Sequence, residues 1–362
     1  VEINTISACG LIMIRQNGRT FVAATRYMIM SLLGSGLLLL GLSYLYGLTG
    51  HLLMSNMQIA VREVYNEGTH RTALIVAVGM ISVGLAIKSA LYPFHSWLPD
   101  AYGYSTVSSA AILSSLVSKG YIFLLVKVFF RVIGFDLVQH IRILDVLFVF
   151  GLIGMIMGSV NAIREKSIRR MIAFSSVAQI GYIYMGFGIG TRVAFIASLF
   201  HILSHATSKA LLFIAGSGIT DASGGSTDFF DLTGAGYRNK LAGIAFTIGS
   251  LSMVGFPMLA GFISKLLFVQ AAVGHNYKTL PAVIVLAVST VLNAVYFLKT
   301  VIRLYTPEKK EVLEQKNYRT IRIEDMPLKS AAMIGFILLN LVLGLCSERI
   351  VGMIQDGLRM FS

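Results

Sequence analysis

Apolar residues run along the chain in stretches long enough to cross a membrane, at about 1–14, 25–48, 72–92, 106–131, 143–163, 170–189, 192–219, 241–273, 281–305 and 330–352. A helix rises about 1.5 Å per residue and needs roughly 20 apolar residues to cross 30 Å of hydrocarbon. The pattern therefore predicts an all-α, polytopic membrane helix bundle of about ten spans, the first of them partial. The opening VEINTISACGLIMI has no initiator Met and no charged n-region, so it is not a signal peptide. It covers roughly two-thirds of the hydrocarbon thickness and reads as a chain that begins partway through a helix. Two longer polar stretches, 49–71 and 306–329, interrupt the run of spans. The second is charged and reads as a solvated connector or as one carrying a short surface helix.

Two spans carry breakers in their interiors. In LAIKSALYPFHSWLPDAY, Pro93 and Pro99 follow Lys88; in SLSMVGFPMLAGFISKLLF, Gly255, Pro257 and Gly261 precede Lys265. Proline removes a backbone donor and clashes with the preceding turn. Freed backbone groups are tolerated in a membrane only where they line a cavity or lie inside protein. Paired interruptions of this kind in the two halves of a transporter point to its ion site.

The chain is 56% hydrophobic and 13% charged, against about 25% charged in soluble domains. Its net charge of +13 does not imply a nucleic-acid partner, because the basic residues lack aromatic interleaving and a binding fold. They gather in short loops. Arg15, Arg19, Arg26, Arg164, Lys166, Arg169, Arg170, Arg238 and Lys240, with Lys309, Lys310, Lys316, Arg319, Arg322 and Lys329 in the long connector, fall on one side. Arg62, Arg71, Arg131, Arg142, Arg192, Lys278, Arg349 and Arg359 fall on the other. The richer side is expected to face the cytoplasm, which puts the C-terminus outside. Cys9 and Cys346 have no CxxC partner and are expected to be small core residues. With no GxGxxG, P-loop or cysteine-rich cluster, the sequence reveals no cofactor.

The chemistry lies in charges placed where lipid would forbid them. Lys88, Lys119, Lys209 and Lys265 sit in otherwise apolar helix, with Glu2 and the His201/His205 pair in similar surroundings. An ammonium at mid-bilayer costs roughly 2.5–3.5 kcal/mol on insertion scales. His201, His205 and Lys209 are spaced i, i+4, i+8 and drift only about 80° around a helix, so they share a face. Imidazoles there suit proton relay; interhelical hydrogen bonding and a metal site are the alternatives. Ser204 and Ser208 lie beside the stripe, where they would hold water. Glu2, the carboxylate available in the early spans, is paired with Lys88. Such a pair becomes a proton switch if its separation changes, since a nearby carboxylate favours the charged amine and burial the neutral one. Lys119 and Lys265 have the alternative of snorkelling to the headgroups, which Lys127 and Lys299, nearer span ends, are expected to do.

AIKSALYPFHSWLPDAY, VSSAAILSSLVSKGYIFLLVK, IRRMIAFSSVAQIGYI, LFHILSHATSKALLFIAG and GFPMLAGFISKLLF, in that order, resemble the antiporter-like proton-conducting membrane subunits. That family comprises the N, M and L-type subunits of respiratory complex I, the large subunits of Mrp cation/proton antiporters, and relatives in membrane-bound hydrogenases. The resemblance implies a fourteen-helix fold with inverted repeats, each with one broken helix, of which this chain supplies helices five to fourteen. Residues 1–140 would form a partial first repeat, 141–306 the second, and 307–362 a cytoplasmic loop and last transmembrane helix. It further implies a relay of Glu2, Lys88, Lys119, His201, His205, Lys209 and Lys265, no redox chemistry of the chain's own, and a bacterial or archaeal cytoplasmic membrane. The implied partners are other membrane subunits, the bilayer, and protons, alone or exchanged for sodium. The rival readings are a stand-alone Mrp-type antiporter subunit and an inert scaffold. Ser167-Ile168-Arg169-Arg170 replaces the family's usual Asp-Leu-Lys-Arg, which leaves the role of Arg169 and Arg170 open. The proline that often precedes helix eight is missing from GYSTVSSA.

Overall fold

The computed structural model of the chain describes residues 1–274, 276–307 and 318–360. Among them every regular element is helical, with one isolated bridge between Ser167 and Asp228. A short α1 (Glu2–Met13) leads into the long α2 (Gly18–Thr49). Asn17 caps α2 by accepting the Thr20 N–H while Thr20 returns the bond, a reciprocal cap that fixes where the helix starts. The polar stretch after it is not plain loop: it holds the amphipathic α3 (Met54–Glu67), which rests Met57 and Val61 on the bundle.

Then comes the first broken span. α4 (Arg71–Lys88) ends at the lysine, a 3-10 turn follows at Phe94–Trp97, and α5 (Leu98–Tyr104) completes the crossing. The groups freed by the break stay inside protein. Trp97 Nε1 donates to Ile87 O at 3.2 Å, Ser89 Oγ to Leu85 O at 2.8 Å, and Leu91 N to Ala86 O at 3.0 Å. Ala90 adopts φ +62° to turn the chain.

The next crossing runs through α6 (Val107–Ile112), a π turn (Leu113–Val117), α7 (Ser118–Val128) and a second π turn (Phe129–Ile133). Ser114 Oγ bonds back to Ala111 O, and Ser115 Oγ reaches Ala206 O on a neighbouring helix at 2.9 Å, a competition that loosens the helical ladder. A short α8 (Phe135–His140) precedes the paired α9 (Ile143–Arg164) and α10 (Ile168–Ile189), then α11 (Arg192–Asp221). α9 and α10 lie backbone to backbone, because a Cβ on Gly151 would stand 2.4 Å from Met185 N and one on Gly158 2.5 Å from Ala178 N.

After α12 (Ala235–Arg238), the second broken span consists of α13 (Lys240–Val254) and α14 (Ala260–Ala272). Gly255, at φ +97°, caps α13 by donating to Leu251 O and Ser252 O. Met258 is left-handed at φ +71°, so each break contains one non-glycine residue in that region. The last crossings are α15 (Asn276–Leu304) and α16 (Pro327–Leu345). The expected final span of 330–352 stops at Leu345, where Cys346 starts a separate surface helix, α17 (Ser347–Arg359). Cys346 is exposed at this corner and Cys9 is only partly buried, which corrects the expectation that both are core residues. Part of the 306–329 connector, including Lys309, Lys310, Lys316 and any surface helix over 308–317, lies outside the described residues.

Among the described residues, seven helices are long and apolar enough to cross a membrane, and α1, α13 and α14 are shorter apolar ones. The apolar windows of α10 and α11 are 94% and 83% buried, against 33% for α2 and α15 and 28% for α16. α10 and α11 are thus the core, and the others turn one apolar face outward to lipid. The protein is a multi-pass membrane bundle.

Candidate functional site

All four lysines singled out in the sequence point inward. Lys88, at the end of α4, donates to Thr5 Oγ1 and Ser31 Oγ, both at 2.9 Å, and stands 3.6 Å from Glu2 Oε1. Its Nζ lies 5.2 Å from the centre of the Tyr121 ring, whose hydroxyl bonds Thr5. Glu2 also accepts from Ser35 Oγ at 2.5 Å. Its side chain is 53% exposed, so the expected enclosed carboxylate is in fact half open. The reason is α1 itself, which packs mainly along α2 and leaves its other face uncovered.

Lys119 opens α7, directly after the π turn. It is buried, and Nζ donates to Ser114 O inside that turn and to Ser118 Oγ at 3.3 Å. A π turn spaces backbone bonds five residues apart, as Ser118 N to Leu113 O does here, and brings carbonyls into reach of a side chain. Snorkelling is thereby excluded for Lys119. Lys127 and Lys299 are exposed.

The α11 stripe faces the same interior. His201 and His205 stack with ring centres 6.1 Å apart, and His201 Nδ1 lies 2.9 Å from Ser264 Oγ beyond the second break. Lys209 donates to Ile172 O at 2.9 Å and to Ser175 Oγ, both on α10. Lys119 is close enough to act electrostatically on His201, His205 and Lys209, and Lys265 on His201. Ser208, expected to hold water, instead closes a ring with Ser252 (3.1 Å) and Asn340 (2.8 Å) that ties α11, α13 and α16 together.

Lys265 sits one turn into α14 and reaches back across the break to Val254 O at 2.6 Å, with Thr290 Oγ1 at 3.1 Å. Three of the four lysines, then, are held by main-chain carbonyls, at a break (Val254), in a π turn (Ser114) and on α10 (Ile172). Such an acceptor solvates an ammonium without fixing it with a counter-charge, so the amine can lose its proton without stranding a carboxylate.

Between these lysines lie buried polar atoms with no hydrogen-bond partner among the described residues: His201 Nε2, both nitrogens of His205, Ser204 Oγ, Ser250 Oγ and the Gln179 amide. Buried polar groups are nearly always paired, with water where protein supplies nothing. They are the buried polar atoms that water would have to satisfy.

Several polar groups lay beyond what one sequence could disclose. Asp100, at the end of the first broken span, accepts from both Arg26 on α2 and Arg170 on α10, and Arg170 also bonds Glu165 at 3.1 Å. Arg169 donates to Ser105 O. Lys278, assigned above to a loop, is buried and paired with Asp145 at 2.5 Å while donating to Gly188 O. The partners sit on different helices, so no spacing within a helix could pair them.

The sequence profile of the family described as NADH:quinone oxidoreductase/Mrp antiporter, TM, matches residues 1–293. NADH-quinone oxidoreductase subunit N of Desulforudis audaxviator is 32% identical over 360 residues, covering 97% of this chain and 70% of the relative. Across three such relatives the chain spans 58% to 70% of their length. By structure it resembles a chain of the membrane-bound sulfane sulfur reductase, an archaeal respiratory membrane complex, with TM-score 0.85 and 25% identity over 98% of this chain and 69% of that one. It likewise resembles a chain of the Mrp complex from Dietzia sp., with TM-score 0.83 and 25% identity over 96% and 70% of the two chains.

Proposed function

The chain belongs to the NADH:quinone oxidoreductase/Mrp antiporter transmembrane family, and from that premise we propose that it is a proton-translocating membrane subunit of a redox-driven, complex I-like or hydrogenase-type complex. Its ions are protons, alone or exchanged for sodium; electron transfer belongs to partner chains. One observation carries this reading: lysines turned inward and held by main-chain carbonyls, with buried histidine and serine atoms on α11 that have no hydrogen-bond partner among the described residues.

The relay starts at the Lys88–Glu2 pair, 3.6 Å apart. Lys119 and the His201, His205 and Lys209 stripe pass the charge on, and Lys265 gates its release across the second break. Electrostatics drive it. A proton on Lys119 disfavours one on His201, His205 or Lys209, so charge advances only as its neighbour clears. Residues 1–140 act as part of a first repeat, 141–306 as the second, and 307–362 as connector and last helix, with the arginine-rich end cytoplasmic and the C-terminus outside. A second reading, a subunit of a stand-alone Mrp-type antiporter, is favoured by the near-equal structural likeness to the Mrp complex.

Lys119→Ala is the direct test. Proton uptake is followed in everted vesicles containing the assembled complex, with and without sodium. The relay predicts uptake at the uncoupled background with assembly retained; unchanged uptake would leave the bundle a scaffold. Dependence on sodium and independence from electron donors would favour the antiporter.

A further inference from the structure

α10 and α11 run antiparallel, and three contacts fix their register. Lys209 donates to Ile172 O at 2.9 Å and to Ser175 Oγ. The Tyr182 ring stacks on His201 with centres 5.5 Å apart, and Ser198 Oγ reaches Ile183 O at 3.2 Å. In such a pair each step back along one helix is a step forward along the other. Four residues back from Lys209 is His205, and four on from Ser175 is Gln179. Ser175, Gln179 and Tyr182 are spaced i, i+4, i+7, so they share the face of α10 that meets the α11 stripe. Gln179 therefore stands opposite His205.

Neither side chain is satisfied by protein. Gln179 and His205 are 0% exposed and His201 is 1%. The Gln179 amide, both His205 nitrogens and His201 Nε2 have no hydrogen-bond partner among the described residues. His201 Nδ1 is already engaged with Ser264 Oγ at 2.9 Å. The two imidazole rings lie 10° from parallel with centres 6.1 Å apart, and no hydrogen bond joins them. One water spans a gap of that size with two bonds of about 2.8 Å each. Buried water makes about three hydrogen bonds, to polar groups that protein leaves unpaired. His201 Nε2, a His205 nitrogen and the Gln179 amide supply that number. The amide suits the third place because its oxygen accepts and its nitrogen donates, so it holds the water whichever way the water's hydrogens point.

We propose that Gln179 is a positioning residue, anchoring a water that bridges His205 and His201. A protonated His205 gives its N–H proton to the oxygen of this water, and one of the water's own O–H protons passes to His201 Nε2. One N–H bond breaks and one forms, one O–H bond forms and one breaks, and the amide is unchanged. Without the anchor the water keeps two partners in place of three, and the histidines lose their bridge. This rests on the relay proposed above, but the anchoring itself is measurable without turnover.

Two readouts on the assembled complex test it. Gln179→Met keeps the length of the side chain and removes both polar atoms. Gln179→Asn keeps the amide and loses one methylene, a space that a second water fills. Driven proton uptake should fall about tenfold in the methionine variant, what one net hydrogen bond to the water is worth, and much less in the asparagine variant. A residue that only packed would give the reverse order, because methionine preserves volume and asparagine leaves a void. The second readout is nitrogen NMR of the complex carrying labelled histidine, with the His205 lines identified by their loss in His205→Leu. They should move in Gln179→Met toward those of an imidazole nitrogen without a hydrogen bond, and stay in place in Gln179→Asn. Gln179→Leu serves if the methionine variant does not assemble. Unmoved His205 lines in the apolar variant, or the reverse order of uptake, overturn the anchor. Failure of the relay itself is distinct: His205→Leu would then pump normally while the spectral shift remained.

Discussion

Gly261→Ala should separate the architecture of the second break from its chemistry. A Cβ on Gly261 would lie 1.7 Å from Ser252 O, whereas real contacts stay at or beyond 3.0 Å. The difference, 3.0 − 1.7, means that the start of α14 must retreat by about 1.3 Å. Lys265 is one turn further along, so its 2.6 Å bond to Val254 O would open to about 3.9 Å, past hydrogen-bonding range. A hydrogen bond to a charged group is worth about 1.5–3 kcal/mol, and a misplacement near 1 Å can cost on the order of 100-fold in rate. The assay is proton uptake per turnover in vesicles, beside native gels that report assembly. Gly120→Ala, next to Lys119, and Gly335→Ala are the controls, because a Cβ at either meets nothing within 4 Å. Both should pump normally while Gly261→Ala loses most of its uptake. An assembled Gly261→Ala complex that pumps like wild type would refute the claim that the break positions Lys265.

Asp100→Asn removes the charge that joins Arg26 and Arg170, and should lower the thermal unfolding midpoint by an amount equivalent to about 1–3 kcal/mol. The Arg26 side chain is 59% exposed and the Arg170 side chain 24%, so Arg170→Ala should match the Asp100 variant while Arg26→Ala does much less; equal effects would contradict this ordering. For orientation, Asp356→Cys on exposed α17 should react with a membrane-impermeant maleimide in right-side-out vesicles and not in inverted ones, read against a Cys346→Ser background.

Much of this molecule could be read from periodicity and punctuation. The order of the spans, the two interruptions after Lys88 and before Lys265, and the shared face of His201, His205 and Lys209 depend on local pattern, which one sequence carries. What escaped has a common cause. α3 and α17 lie along the bundle, so their short amphipathic pattern resembled a polar loop in one case and the tail of a span in the other. The π turn before Lys119 depends on Ser115 finding Ala206 O, which spacing within one helix does not encode. The Asp100–Arg170 and Asp145–Lys278 pairs and the Asn293–Tyr182 contact each join separate helices, and nothing in a single sequence says which polar faces meet.

The carbonyls that cradle Lys119, Lys209 and Lys265 belong to the polypeptide spine, so no exchange of side chains at Ser114, Ile172 or Val254 can delete them. The hazard is instead a frameshift of geometry: adding or dropping one residue within 113–117 or 255–259 would swing everything downstream by about 100° and carry the ammonium away from its cradle. Side chains at those three carbonyl positions are open to exchange, whereas the length of the two segments is not.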